Sequence, residues 1–200
     1  MPNYVTSRIR VQAKDWEALK SALINEDGHV DFNKVKPMPD SVYQEVLVGD
    51  PYTPPAGYSE TWYTWSIREW GTKWNASSTG IDPENHEINF ETAWGSPLPV
   101  IQKLHEMTGI RLHVLYADED LGYNLGGYIY ETEKIPAKFP DQGSLEAENL
   151  SCLIRHGKCA KDCYGQDFVE SYTDYDLESQ LLEETYDPWE RYHLTPKEEA

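Results

Sequence analysis

Cys152, His156, Cys159 and Cys163 are the residues of this chain whose types could act in concert, since three thiols and one imidazole form the donor set of a structural zinc site. Their spacing argues for something plainer. On one continuous helix all four fall on the same face, with the first and last about 16 Å apart at about 1.5 Å per residue. One ion holding its ligands at about 2.3 Å cannot reach both ends. Only a helix break at Gly157 would gather them. Leu145, Leu153 and Ala160 extend the same face, so the cysteines read as small buried hydrophobes and no metal or other cofactor is expected. Cys152 and His156 also stand one turn apart, as a nucleophile and its base would, but the sequence shows neither a third group to orient them nor an oxyanion site.

Other chemistries find less support. Asp118-Glu119-Asp120 ahead of Gly122 lacks the ligand spacing of a calcium loop and reads as a solvated turn. Gly122, Gly126 and Gly127 do not make a dinucleotide fingerprint, and there is no phosphate-loop motif. His86, His105 and His113 are isolated and read as surface or satisfied core residues.

The charge is more informative. Among 200 residues, 35 Asp and Glu face 17 Lys and Arg, a formal net charge of −18. Such a surface repels phosphate backbones and anionic membranes, so neither nucleic acid nor membrane is an expected partner. The amino terminus lacks a secretion-signal pattern, no stretch is long and apolar enough for a membrane span, and the three cysteines form no paired framework. The expected compartment is the cytoplasm. Between Lys161 and Arg191 lie ten acids and no Lys or Arg, threaded by Tyr172, Tyr175, Leu182, Tyr186 and Trp189. One face of that stretch can pack while the other stays densely negative. Asp174, Asp176, Glu178, Glu183, Glu184 and Asp187 are therefore the candidate partner-binding residues. They could imitate a nucleic-acid backbone and occupy the groove of a basic protein; the plainer reading is a solubilising surface.

The elements that must position these residues follow from periodicity. Val5, Ser7, Ile9, Val11 and Ala13 alternate with polar residues as a strand with one wet face. Asp15 then opens a helix with Trp16, Leu19 and Leu23 on its inner side. A second strand is expected over Val30 to Val35, stopped by Pro37 and Pro39. Residues 40–80 interrupt the pattern as an insertion with a short aromatic helix from about Ser59 to Trp70. A strand over Ile88 to Trp94, a helix after Ser96-Pro97, a strand over Ile110 to Ala117 and a further strand over Gly126 to Thr132 complete the series. Tyr52, Tyr58, Trp62, Tyr63, Trp65, Trp70, Trp74 and Trp94 form a cluster read first as core and alternatively as a recognition surface. Lys73, between two tryptophans, is placed to stack on one of them.

Two successive βαβ-sized units point to an α+β, ferredoxin-like split βαβ antiparallel sheet with helices on one face, an aromatic insertion at 40–80 and a helical carboxy-terminal extension. The expected domains are 1–140 and an acidic helical subdomain over 141–200. Met1-Pro-Asn-Tyr-Val5, the segment Val30 to Pro39, Trp70-Gly-Thr-Lys-Trp-Asn75 and the segment Phe90 to Val100 together resemble the YubB-type ferredoxin-like family of small phage and plasmid proteins, over roughly residues 1–130. That resemblance implies carriage on mobile elements and transfers no catalytic residue. The expected function is non-enzymatic binding of a host protein, basic in character if the acidic face imitates nucleic acid. A small metalloprotein or thiol enzyme using Cys152 to Cys163, and a structural or assembly protein, are the alternatives, with the oligomeric state left open.

Overall fold

The computed structural model describes residues 3–171 and 179–197. Strand β1 (Tyr4–Arg10) alternates as its sequence requires, with Val5, Ser7 and Ile9 fully buried, and is followed by helix α1 (Trp16–Leu23), whose Trp16, Leu19 and Leu23 face the core. The chain next forms a 3₁₀ turn at Phe32–Lys34 in place of the expected second strand over Val30 to Val35. The cause is local: the Asp31 carboxylate accepts the Asn33 N–H at 2.9 Å, a bond that competes with a strand ladder. Only Val30 makes a β-bridge, to Ile24. Phe32 and Val35 are buried nonetheless, so the apolar pattern read as a strand is satisfied by a turn.

The insertion contains a two-residue parallel pair, β2 (Val42–Tyr43) with β3 (Glu60–Thr61), and helix α2 (Trp62–Glu69). Thr61 caps α2 by accepting the Thr64 N–H at 3.3 Å. The strand completing the first unit is β4 (Ser77–Asp82), which begins within the span 40–80 read as insertion. Its polar sequence suits an edge strand, and Ile81 is 42% exposed.

Strand β5 (Glu87–Ala93), helix α3 (Leu98–Thr108) and strand β6 (Leu112–Asp118) form the second unit, and β7 (Leu125–Tyr130) and β8 (Lys134–Pro136) extend the sheet. The order is β4-β5-β1-β6-β7-β8, antiparallel throughout, with β1 at the centre and Ile9 opposite both Ile88 and Val114. The first four strands have the arrangement of a split βαβ fold. Against one face, Ile9, Ile88, Phe90 and Val114 share a core with Leu19 and Leu23 of α1 and Ile101 and Leu104 of α3.

The carboxy-terminal helices take part of the other face. Helix α4 (Leu145–His156) and the short α8 (Pro188–Arg191) bring Ala147, Leu150, Ile154 and Trp189 onto Leu115, Ala117 and Leu125, with Leu194 closing the cluster. Gly127 permits that approach, because a Cβ there would lie 2.7 Å from the Leu194 side chain and 2.9 Å from the Val114 carbonyl. Helices α5 (Ala160–Tyr164), α6 (Gln166–Ser171) and α7 (Ser179–Glu183) pack beside α4. Among the described residues no helix is long and apolar enough to cross a membrane.

Candidate functional site

The aromatic cluster divides into two layers. Trp65 and Trp70 belong to the core, 5% and 4% exposed. They meet edge to face at 5.2 Å, and Trp70 also packs on Phe32 and donates its indole N–H to the Lys36 carbonyl at 2.9 Å. The other rings form an outer layer. Tyr63 contacts Trp62, Tyr52 and Trp94, with centroids 5.9, 5.5 and 6.3 Å away. Tyr52 is 64% exposed and Trp94 is 43% exposed, and the loop that carries Tyr52 also holds Val46 and Val48 largely in solvent. Large apolar side chains gathered at one surface mark an interaction site more often than scattered ones do.

Lys73 organises this layer. Its ammonium lies 4.8 Å from the Trp74 ring, 5.1 Å from Trp94 and 5.7 Å from Tyr63, within the range of cation–π attraction to each. The sequence suggests stacking on one neighbouring tryptophan; Trp94, which directly follows β5, was not foreseeable as a second. The Trp70-to-Asn75 block explains the placement residue by residue. Gly71 takes a positive φ where a Cβ would strike the Pro99 ring at 2.8 Å. Thr72 donates its hydroxyl to the Ala93 carbonyl at 2.8 Å, tying the block to the end of β5. The Ser66 hydroxyl donates to the Lys73 carbonyl at 2.6 Å, and Asn75 accepts the Phe32 N–H at 2.9 Å while donating to Asp31 at 2.7 Å.

Trp94 is the strained member. Its φ of +70° is a left-handed conformation that costs a bulky residue on the order of 1–3 kcal/mol. The strain is held from both sides: the Trp94 N–H donates to the Asn3 carbonyl at 2.9 Å, and the Trp94 carbonyl accepts from the Asn124 amide at 3.1 Å. Backbone strain of this kind is concentrated at functional sites.

The acidic residues singled out by charge lie elsewhere. Glu183 pairs with Lys161 at 3.0 Å and Glu184 with Arg191 at 2.6 Å. Asp187 caps α8 by accepting the Trp189 N–H at 2.9 Å and lies 3.7 Å from Arg10. These three carboxylates therefore have intramolecular partners. Asp174, Asp176 and Glu178 lie outside the described residues.

The cysteine region departs from the expected continuous helix. Gly157, with a φ of 68°, ends α4, and the chain restarts at Ala160 after Cys159. Cys152 packs with Ala160, Val169 and Leu182, and Cys163 lies against that cluster. Burial pushes the Cys152 thiol up to about 12, which disfavours a free nucleophilic thiolate there. His156 instead lines a cleft over the sheet with Thr6, Arg8 and Asn89. Among the described residues no three His, Cys, Asp or Glu converge as metal ligands do.

A further cluster escaped the sequence reading. Arg8 and Arg10, on the wet face of β1, both bond Glu87, at 2.7 and 2.6 Å, and Glu87 also accepts the Trp189 indole N–H at 3.1 Å. Only the alternation of β1 and β5 hinted that these charges share a face. It gave no sign that Trp189 covers them.

Residues 69–152 match the family described as a ferredoxin-like domain in Api92-like protein, a span running from the end of α2 to Cys152 and holding Lys73, Trp74 and Trp94. The description agrees with the ferredoxin-like fold of the sheet, whose β1 and α1 lie ahead of the matched span. No curated protein and no solved structure matches the chain.

Proposed function

We propose that this protein is a binding protein rather than an enzyme, and that it grips a protein partner through the aromatic layer around Lys73. The observation that carries the reading is Trp94, 43% exposed and held in left-handed backbone beside a caged ammonium. Preset aromatic side chains supply contact area with little ordering cost on binding. The resemblance to small phage and plasmid proteins favours a host protein as the partner. The net charge of −18 favours a basic one, such as a nuclease of a defence system, with the acidic carboxy-terminal stretch steering the encounter over long range. Glu183, Glu184 and Asp187 serve the fold first, through their ion pairs, and the field second.

The test is affinity capture from host lysate with the tagged protein beside its Trp94→Ala variant, washed over rising salt. A partner held by the wild type and lost by Trp94→Ala supports the reading. A partner held equally by both, and lost only when the carboxy-terminal acids are neutralised, would transfer the site to the acidic stretch.

A further inference from the structure

We infer that the aromatic layer takes an arginine-bearing segment of a basic protein, its guanidinium stacked on Tyr52 beside the Asp50 carboxylate. The inference rests on the partner-binding reading and names the chemistry of the occupant. Residues 40–60 contain Asp40, Glu45, Asp50 and Glu60 and no Lys or Arg. Arg68 neutralises Glu60 at 2.6 and 2.9 Å. Asp40, Glu45 and Asp50 are exposed and form no ion pair with a described residue, so the insertion presents uncompensated negative charge next to its rings.

Asp50 is the fixed member of that set. Its carboxylate accepts the Tyr52 backbone N–H at 3.1 Å and the Thr53 hydroxyl at 2.7 Å, which fixes its orientation at the start of the turn that carries Tyr52. A flat aromatic face beside an oriented carboxylate suits a guanidinium, which stacks through its plane while donating in plane to the carboxylate. An ammonium is more strongly hydrated and cannot do both as well. Lys73 already fills the inner side of the layer, against Trp74 and Trp94, and its charge turns an incoming cation toward the Asp50 and Tyr52 end.

The experiment uses the full chain and two synthetic probes, an alternating arginine–glycine peptide and its lysine–glycine counterpart. Binding is followed by fluorescence polarisation and by indole N–H chemical shifts. The arginine peptide is expected to bind about two- to five-fold more tightly than the lysine peptide, with shifts at Trp94 and Trp62. Asp50→Asn and Tyr52→Ala, both on an exposed loop, should each remove that preference. Equal affinity for the two peptides, unaffected by either substitution, would mean general attraction to an acidic protein and would overturn the inference. If neither peptide binds while Trp94→Ala still abolishes capture of the lysate partner, the guanidinium assignment fails and the partner-binding reading stands.

Discussion

Acidification should loosen this protein through His113, and the size of the effect follows from one buried ring. His113 is 2% exposed on β6; its Nδ1–H donates to the Leu194 carbonyl at 2.6 Å, while its Nε2 is buried without a partner. Protonation would add a second N–H at Nε2 with no acceptor in reach, in a site where burial already disfavours charge and Arg111 adds repulsion. The imidazole is accordingly lowered from 6.5 to about 4. The unfolded chain takes up this proton near pH 6.5 and the folded one only near pH 4, so the contribution of His113 is complete above pH 6.5 and is lost as the pH falls through the folded value. Between pH 7.5 and pH 5 the loss is about 2 kcal/mol, approaching about 3 kcal/mol below pH 4. Urea unfolding followed by tryptophan fluorescence at the two pH values measures it. His113→Asn keeps a donor for the Leu194 carbonyl but cannot titrate, so it should start less stable and show a pH dependence smaller by about 2 kcal/mol. Acid also relieves repulsion among the surplus carboxylates, an effect of opposite sign common to both proteins, so the difference between them isolates the histidine. Identical pH slopes for the two proteins would refute the assignment.

Glu87→Gln leaves Arg8 and Arg10 facing each other under Trp189 without their shared carboxylate, and should cost about 3–5 kcal/mol, read as a lower urea midpoint at neutral pH. A midpoint within experimental error of wild type would show that water or Asp187 takes over the charge. Gly127→Ala should displace Leu194 from the sheet, since its Cβ meets both that side chain and the Val114 carbonyl; a red shift of the Trp189 emission would report it, and an unchanged spectrum and stability would count against close packing there. In the native protein Cys163 should be alkylated first, with Cys152 reacting only on unfolding, because Cys152 is fully buried and its thiol is pushed up to about 12. Mass spectrometry of partially modified protein decides the order, and early modification of Cys152 would contradict the buried cluster.

What could be read from sequence was what repeats. Val5, Ser7 and Ile9 alternate on β1, Trp16, Leu19 and Leu23 recur at helical spacing on α1, and both patterns form as expected. The split βαβ order followed from two such units in succession. The apolar spacing points to a partner strand over Val30 to Val35, but Val30, Phe32 and Val35 are buried by a turn that Asp31 closes, whereas β4 is a polar edge with little apolar signature. The aromatic site was half legible. Composition identified its residues, and Lys73 was placed on a tryptophan, but separating Trp65 and Trp70 from Trp94 required knowing that β5 ends beside the Lys73 loop. The Glu87 and His113 contacts join residues at least 77 positions apart, beyond any local pattern.

The position of the proposed site follows from how the sheet is covered. One face is closed by α1 and α3, as in other α+β proteins whose helices gather on one side of an antiparallel sheet. The other face would ordinarily be open to water or to a ligand. Here α4, Trp189 and Leu194 seal its β6 and β7 half with apolar side chains, and on the β1 and β5 half Glu87 offsets the charge of Arg8 and Arg10 beneath the Trp189 ring. A ligand reaching the β6 and β7 half would have to displace packed apolar side chains, and one entering the cleft beside Arg8 and His156 would meet charges already paired through Glu87. The aromatic insertion asks for no such exchange. Tyr52 on it and Trp94 beside it are exposed, Trp94 is held through its backbone N–H and carbonyl, and the inner cation is supplied by the chain itself, so the binding proposed there would need little rearrangement.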